Sequence, residues 1–435
     1  DSSQQVDATD QDHLTDVTTN ENEDRPIPSP EVRTLPPEPT ADKIETESPE
    51  SPVLTEEEET EVPHVKSDEQ KGSVDTEAVS PAASIEPMAN DCQEVECDVL
   101  IGEPKLSPQF GLLGECNGRK LGLDLNSTHT ISLFGVQGGG KSYTLGSIIE
   151  MATMPIPGIN KLPSPLATVV FHYSQTQDYK PEFTSMVRPN DDDASLKKLI
   201  EKYSARPQGL SDVVLLTPED KLSERREEYP NLEVLPLKFA ASELQAQHWR
   251  FLMGAIGNQA MYIRQINRLL KKLRRNLTLS NLREAIENSG FGDREMQLAN
   301  DRLALAEDYI DDSVRLGDII KPGRMIIIDL RDEFVEKDEA LGLFVVIMQI
   351  FSEAKWNGEM FSKLIVYDEA HKYIESPDLV AGLIEVVREM RHKATSILVA
   401  SQDPPSVPVS LIELSSQVIL HKFNSPSWLK HIQKA

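Results

Sequence analysis

Gly135-Val136-Gln137-Gly138-Gly139-Gly140-Lys141-Ser142 decides how the rest of the chain is read. It follows an apolar, β-branched run, Thr130-Ile131-Ser132-Leu133-Phe134, and opens a helix-like run from Ser142 to Met151. In the pattern G-x-x-x-x-G-K-[ST] the glycines let consecutive backbone N–H groups turn around phosphate oxygens, because no Cβ blocks the dihedrals required. The lysine reaches the β- and γ-phosphates, the hydroxyl joins a Mg²⁺ shell, and the helix aims the positive end of its dipole at the anion. The residues expected around ATP are Gly135, Gln137, Gly138, Gly139, Gly140, Lys141, Ser142 and Tyr143, with Ser142 on Mg²⁺. A glycine-rich turn without a ligand is the plain alternative; it leaves the lysine, the serine and the strand–loop–helix setting unexplained.

A phosphate loop needs acidic partners, and Lys363-Leu364-Ile365-Val366-Tyr367-Asp368-Glu369 supplies an apolar strand ending in two carboxylates. Asp368 is expected to anchor Mg²⁺ and Glu369 to polarise the attacking water. Adjacent acids at a strand exit also cap helices. His371, two residues on, reads either as a helix-start residue or as a γ-phosphate sensor. Ser396-Ile397-Leu398-Val399-Ala400-Ser401-Gln402 is another strand ending in an amide, where Gln402 either senses the γ-phosphate and attacking water or caps the strand.

Strands are expected at Asp98–Gly102, Phe110–Glu115, Lys120–Leu125, Ala167–Tyr173, Val213–Thr217, Leu232–Leu237, Arg324–Leu330, Leu364–Tyr367, Ser396–Ala400 and Gln417–His421. Asn117-Gly118 reads as a hairpin turn. Helices are expected at Glu339–Ala354 and Leu379–Met390, and from about Ala240 to Asp312 the pattern is almost wholly helical, with one run over Gln247–Leu277. Apolar strands alternating with amphipathic helices argue for a parallel sheet covered on both faces. The expected fold class is α/β: a RecA-like P-loop core with a mostly parallel central sheet, an all-α insertion and a long disordered acidic N-terminal region. The expected divisions are 1–95 (disordered, acidic), 96–240 (first part of the core), 241–315 (helical insertion) and 316–435 (second part of the core).

Residues 1–100 hold 28 acidic and 5 basic side chains, which accounts for -23 of the formal net charge of -28. No Phe, Tyr or Trp precedes Phe110, so that region has too little apolar surface to offset its ordering entropy. It reads as a solvating tail, or else as an acidic partner-binding or DNA-mimicking arm. Three cysteines, Cys92, Cys97 and Cys116, are too few and too unevenly spaced for a disulfide framework or a zinc site. With no signal peptide and no long apolar run, a cytoplasmic protein without membrane insertion is expected. The chain starts at Asp1 and stops at Ala435 inside a helix-like stretch, which reads as a fragment. Trp249 and Trp356 lack basic neighbours for base stacking and are expected in the core. Arg264, Arg268, Lys271, Lys272 and Arg275 recur at steps of three and four, a basic helix face that either tracks a phosphate backbone or is solvated surface.

The order of the P-loop, Arg324-Met325-Ile326-Ile327-Ile328-Asp329, the acidic pair, and a basic residue eleven positions before a strand-ending glutamine resembles the HerA/FtsK superfamily of ring-forming DNA-pumping ATPases. His129 and Asp368-Glu369-Ala370-His371 resemble the HerA branch. Leu414 to Asn424 is similar to HerA-type ATPases of bacterial DNA-modification and defence systems. The similarity covers 98–180 and 318–435. It implies ATP and Mg²⁺, self-association into a ring, a hexamer, double-stranded DNA as substrate, and a partner nuclease or other defence-system subunit. It implies catalytic roles for Lys141, Glu369 and Gln402, and places Arg391 as an arginine finger reaching a neighbour's ATP; cations at a helix end also simply complement its dipole. Two departures stand out: Phe171-His172-Tyr173-Ser174 lacks an Asp often found there, and Asp403-Pro404-Pro405 follows Gln402 where an arginine is common. A polypeptide-pumping secretion motor and an ATP-gated interaction platform are the alternatives.

Overall fold

The computed structural model describes residues 95–435 apart from 104, 106, 256–259, 275 and 375–376. The expected acidic region, Cys92 and Arg275 therefore lie outside the described residues. The strands, in chain order, are β1 Val99–Ile101, β2 Phe110–Cys116, β3 Arg119–Asp124, β4 Thr130–Phe134, β5 Asn160–Lys161, β6 Ala167–Ser174, β7 Val213–Thr217, β8 Glu233–Pro236, β9 Met325–Arg331, β10 Lys355–Trp356, β11 Glu359–Met360, β12 Lys363–Tyr367, β13 Thr395–Ser401 and β14 Gln417–Leu420. The α-helices are α1 Lys141–Thr153, α2 Asp193–Tyr203, α3 Leu222–Glu228, α4 Ala246–Leu252, α5 Met261–Leu273, α6 Leu279–Glu287, α7 Asp293–Glu307, α8 Leu316–Ile319, α9 Lys337–Glu353, α10 Pro377–Met390, α11 Val409–Ile412 and α12 Pro426–Ile432.

Eight strands form one sheet in the order β14-β4-β13-β12-β6-β9-β7-β8, and every pairing in it is parallel. Every residue of β6, β7, β9 and β12 is buried, as continuous apolar runs demand when helices cover both faces. Alternate side chains sort onto two cores. Val169, Phe171, Ile326, Ile328, Ile365 and Tyr367 meet α9, α10 and the helices between residues 246 and 307. Val170, Ile327, Leu364, Val366 and Leu398 meet α1 on the other face. This is an α/β fold with a RecA-like P-loop core.

A second sheet, β1-β3-β2-β5, lies outside the main one. Its hairpin turns at Asn117 and Gly118, both at positive φ (52 and 75), the geometry of a two-residue type I′ turn. It packs on α1 closely enough that a Cβ on Gly111 would sit 2.9 Å from Met151 Cβ.

Two expectations are corrected. The helical run over Gln247–Leu277 is broken: α4 ends at Leu252, Gly254 turns at φ 55, and α5 starts only at Met261. Trp356 is not core but 42 % exposed on a short hairpin of β10 and β11, whereas Trp249 is fully buried.

Candidate functional site

The topology explains why the separate motifs converge. β13 lies between β4 and β12, so the phosphate loop, Gln402 and the acidic pair leave the same end of three neighbouring parallel strands. Ser401 is level with Phe134, and Val399 with Tyr367. Strands spaced about 5 Å apart put the loop and the acids roughly 10 Å apart across β13. Lys141, at the start of α1, spans that gap: its Nζ is 2.8 Å from Glu369 Oε1 and 3.5 Å from Asp368 Oδ1. Gln402 Nε2 donates to the same Glu369 Oε1 at 2.5 Å. Lys141, Asp368 and Glu369 are all buried.

The loop's backbone has the shape its glycines permit. Gly138 and Gly140 sit at φ 72 and 90, and a Cβ on Gly135 would lie 2.6 Å from His421 Cβ. Val136 N–H donates to Lys422 O and Gly139 N–H to Val136 O. Among the described residues the N–H groups of Gly138, Gly140, Lys141, Ser142 and Tyr143 donate to no protein acceptor. A run of free N–H groups at a helix start suits an anion, so the loop fits a polyphosphate. Gln137 lies on the loop, and Tyr143 is 72 % exposed one residue beyond Ser142.

The acids are unevenly placed. Burial pushes the Asp368 carboxyl up to about 6; the Lys141 cation pulls against this, and Glu369's charge adds to it. Lys141 is itself raised, because two carboxylates outweigh its burial. Glu369 adopts a left-handed backbone, φ 49, immediately after the strand, a strained conformation that clusters at functional sites. Its Oε2 is buried without a hydrogen bond, 3.2 Å from His371 Nδ1, and burial depresses the His371 imidazole. Two carboxylates against one lysine leave a surplus negative charge. Among the described residues there is no cluster of three or more His, Cys, Asp or Glu side chains for a metal. Mg²⁺ ordinarily takes only one or two protein ligands and completes its shell with phosphate and water, so Ser142 and Asp368 fit it.

Arg391 is elsewhere. It lies in the turn Arg391–Lys393 that leads into β13, at the opposite end of that strand from Gln402, about 20 Å away. It shares a cavity of about 370 Å³ with His129 and Gln417. His129, read from sequence only as a branch marker, is buried with Nε2 2.9 Å from Asp124 Oδ2. Asp329 is likewise an anchor, bridging Arg225 at 3.0 Å and Arg331 at 2.7 Å. Sequence reading missed Tyr179, Lys372 and His421. The available signal was position: each lies just beyond the end of a strand whose neighbours carry the motifs.

No protein-family model matches the chain, and no curated relative was found. Among solved structures it is similar to VirB4 of Thermoanaerobacter pseudethanolicus, with 14 % identity over 77 % of this chain and 88 % of that one and a TM-score of 0.42. It is also similar to the bacterial conjugative coupling protein TrwB, with 11 % identity over 69 % and 68 % and a TM-score of 0.39. TrwB bound to a non-hydrolysable GTP analogue gives 11 % over 70 % and 67 %, with a TM-score of 0.37. The class of the chain rests on its own strand order and loop: an α/β P-loop protein of the kind that holds an extra strand between phosphate loop and acids. Among the described residues no helix is long and apolar enough to cross a membrane.

Proposed function

We propose that this chain is an ATP-hydrolysing motor subunit of the HerA/FtsK type. The observation that carries the reading is the meeting of Lys141 and Gln402 on one oxygen of Glu369, beside Asp368 and beneath the free N–H groups of the loop. Gly135, Gln137, Gly138, Gly139, Gly140 and Tyr143 line the phosphates, and Lys141 neutralises the β- and γ-groups. Ser142 and Asp368 hold Mg²⁺, which supplies charge neutralisation on the phosphates when bound. Glu369 orients and deprotonates the attacking water, and Gln402 holds the carboxylate and senses the γ-phosphate. Arg391 acts in trans within a ring, a hexamer, beside a partner nuclease or other defence-system subunit.

Double-stranded DNA is the first substrate reading. Arg268, Lys271 and Lys272 on α5 are exposed without an ion pair among the described residues, and the other face of the helix, Ile263, Ile266 and Leu270, is buried. A polypeptide substrate is the second reading: residues 1–100 account for -23 of the net charge of -28, so the rest of the chain carries no strong overall charge of either sign to select a nucleic acid. Steady-state ATP hydrolysis with Mg²⁺, alone, with linear duplex and with unfolded polypeptide, separates them. Hydrolysis is expected to vanish in Lys141→Ala. In Glu369→Gln it should fall about 100-fold or more with ATP still bound. Normal turnover in Glu369→Gln would remove the assignment.

A further inference from the structure

The motifs account for only one oxygen of Glu369. Oε1 takes Lys141 and Gln402, while Oε2 is buried without a hydrogen bond. The side chain facing Oε2 is His371, whose Nδ1 lies 3.2 Å away and is itself buried without a hydrogen bond. The two atoms are close but not aligned, so a small rotation of either side chain joins them. A buried polar group left unpaired costs about 1–3 kcal/mol, which favours that rotation. The proposed mechanism gives this imidazole no task.

The turn after β12 fixes where the ring sits. Glu369 is at φ 49, and a 3₁₀ turn, Ala370–Lys372, follows at once. Ala370 and Tyr373 are buried in the core, which leaves His371 at the rim of the acidic site with its side chain 25 % exposed. The turn is tied down: Tyr373 Oη donates to Asp368 O at 3.0 Å, and Lys372 N–H to Glu369 O at 2.9 Å. Lys372 Nζ lies 3.1 Å from the centre of the Tyr179 ring, and Tyr179 O accepts from His172 Nε2 at 2.8 Å. Burial holds the His371 imidazole below its ordinary value, against the pull of the Glu369 charge, so the ring is neutral at pH 7 and above. A neutral imidazole set against a carboxylate carries its proton on the facing nitrogen, because a lone pair there would meet like charge. Nδ1 is therefore the donor, and Nε2 is left without the proton.

We infer that His371 is a positioning residue for Glu369: Nδ1–H holds Oε2 and fixes the plane of the carboxylate while Oε1 serves the attacking water. The inference rests on the reading of Glu369 as the residue that activates water. The terminal torsion of a glutamate is broad, so a carboxylate gripped on one oxygen swings about it. A misplacement of about 1 Å costs up to about 100-fold in rate. Lys141 is shared between this carboxylate and the phosphates it neutralises, so bound phosphates weaken its hold on Oε1. Gln402 grips that same oxygen and cannot stop the swing alone, whereas a donor on Oε2 can. A carboxylate offers about four acceptor positions, so Lys141, Gln402 and His371 together still leave room for the water. A direct contact of His371 with the γ-phosphate would use Nε2 instead, which lacks the proton such a contact needs.

Substitution tells the two nitrogens apart, because asparagine places an amide near the position of Nδ1 and glutamine near that of Nε2. His371→Ala is expected to lower kcat roughly tenfold to a hundredfold, with the ATP Kd changed less than about twofold. His371→Asn should return kcat to within about threefold of wild type, which also shows that the fold is intact, and His371→Gln should stay near the alanine level. In the Glu369→Gln background His371→Ala should lower the residual rate no further. Unchanged kcat in His371→Ala, a weakened Kd in place of the rate loss, no gain of asparagine over alanine, rescue by glutamine, or equal losses in both backgrounds would overturn the role. If the wild-type chain binds ATP without turning it over, the proposed function falls and this role falls with it. If the wild-type chain hydrolyses ATP and His371→Ala does so equally well, this role falls alone.

Discussion

Asp368 is a residue whose usefulness and whose cost have the same origin. Buried beside a second carboxylate and only 3.5 Å from a cation that Glu369 holds more closely, it keeps its proton up to about 6 rather than the ordinary 3.8. The folded chain therefore binds more protons than the unfolded one between those values, and stability falls as pH rises through that window. Above about 6 the carboxylate is ionised and the cost is complete, and that ionised form is the one a metal ion requires. Hydrolysis is expected to rise with pH through about 6. Asp368→Asn should raise stability at pH 7.5 by on the order of 1–3 kcal/mol, with the gain disappearing below pH 4, while hydrolysis is lost. Thermal melts at both pH values, run beside the ATPase assay, check the sign. A variant less stable than wild type at pH 7.5 would mean that the Lys141 contact outweighs burial.

Among the elements, α1 carries the tightest constraint. It must pack on the main sheet through Leu145 and Ile149 and also support the small sheet, where Gly111 leaves room for Met151 and no more. Gly111→Ala is expected to cost about 1–3 kcal/mol by forcing β2 away from the phosphate-loop helix, and Met151→Ala, which removes Sδ and Cγ but keeps the Cβ 2.9 Å away, should relieve only part of it in the double variant. Thermal unfolding of the four proteins reads this directly; equal losses with and without Met151 would place the strain elsewhere. The example also marks what sequence discloses. Strands β4, β6, β7, β9, β12 and β13 were legible because burial on both faces demands continuous apolar runs, and the acids, glutamine and phosphate loop were legible because each ends or begins such a run. Their meeting on one oxygen of Glu369 was not, since it depends on β13 entering between β4 and β12. The loop bearing Tyr179 has no periodicity, and its placement comes from contacts with β9, α3 and the turn after Glu369. The break at Gly254 escaped because apolar spacing continues on both sides of a single positive-φ residue.

For the whole molecule, the position of Arg391 turns a family resemblance into a geometric question. Gln402 and Arg391 bracket the same strand, and a seven-residue strand keeps its ends about 20 Å apart. An arginine side chain spans far less, so within one subunit Arg391 cannot touch the phosphates bound at Lys141. Its role is therefore either in a neighbour's site or confined to the end of α10, where Arg388, Arg391, His392 and Lys393 complement the helix dipole. The two cases separate in mixed assemblies. Lys141→Ala is expected to be inactive because its own loop loses the cation that neutralises the phosphates, and Arg391→Ala is expected to be inactive because it cannot complete its neighbour's site, with a loss of roughly 1000-fold typical of an arginine finger. When the two variants are combined, some interfaces pair an intact phosphate loop with an intact Arg391, and part of the wild-type turnover should return. Recovery above the sum of the separate proteins requires a shared site and therefore a ring or another closed contact between copies. If Arg391→Ala alone hydrolyses ATP at the wild-type rate, the arginine belongs to the helix end, and the cavity it shares with His129 and Gln417 is no part of an active site.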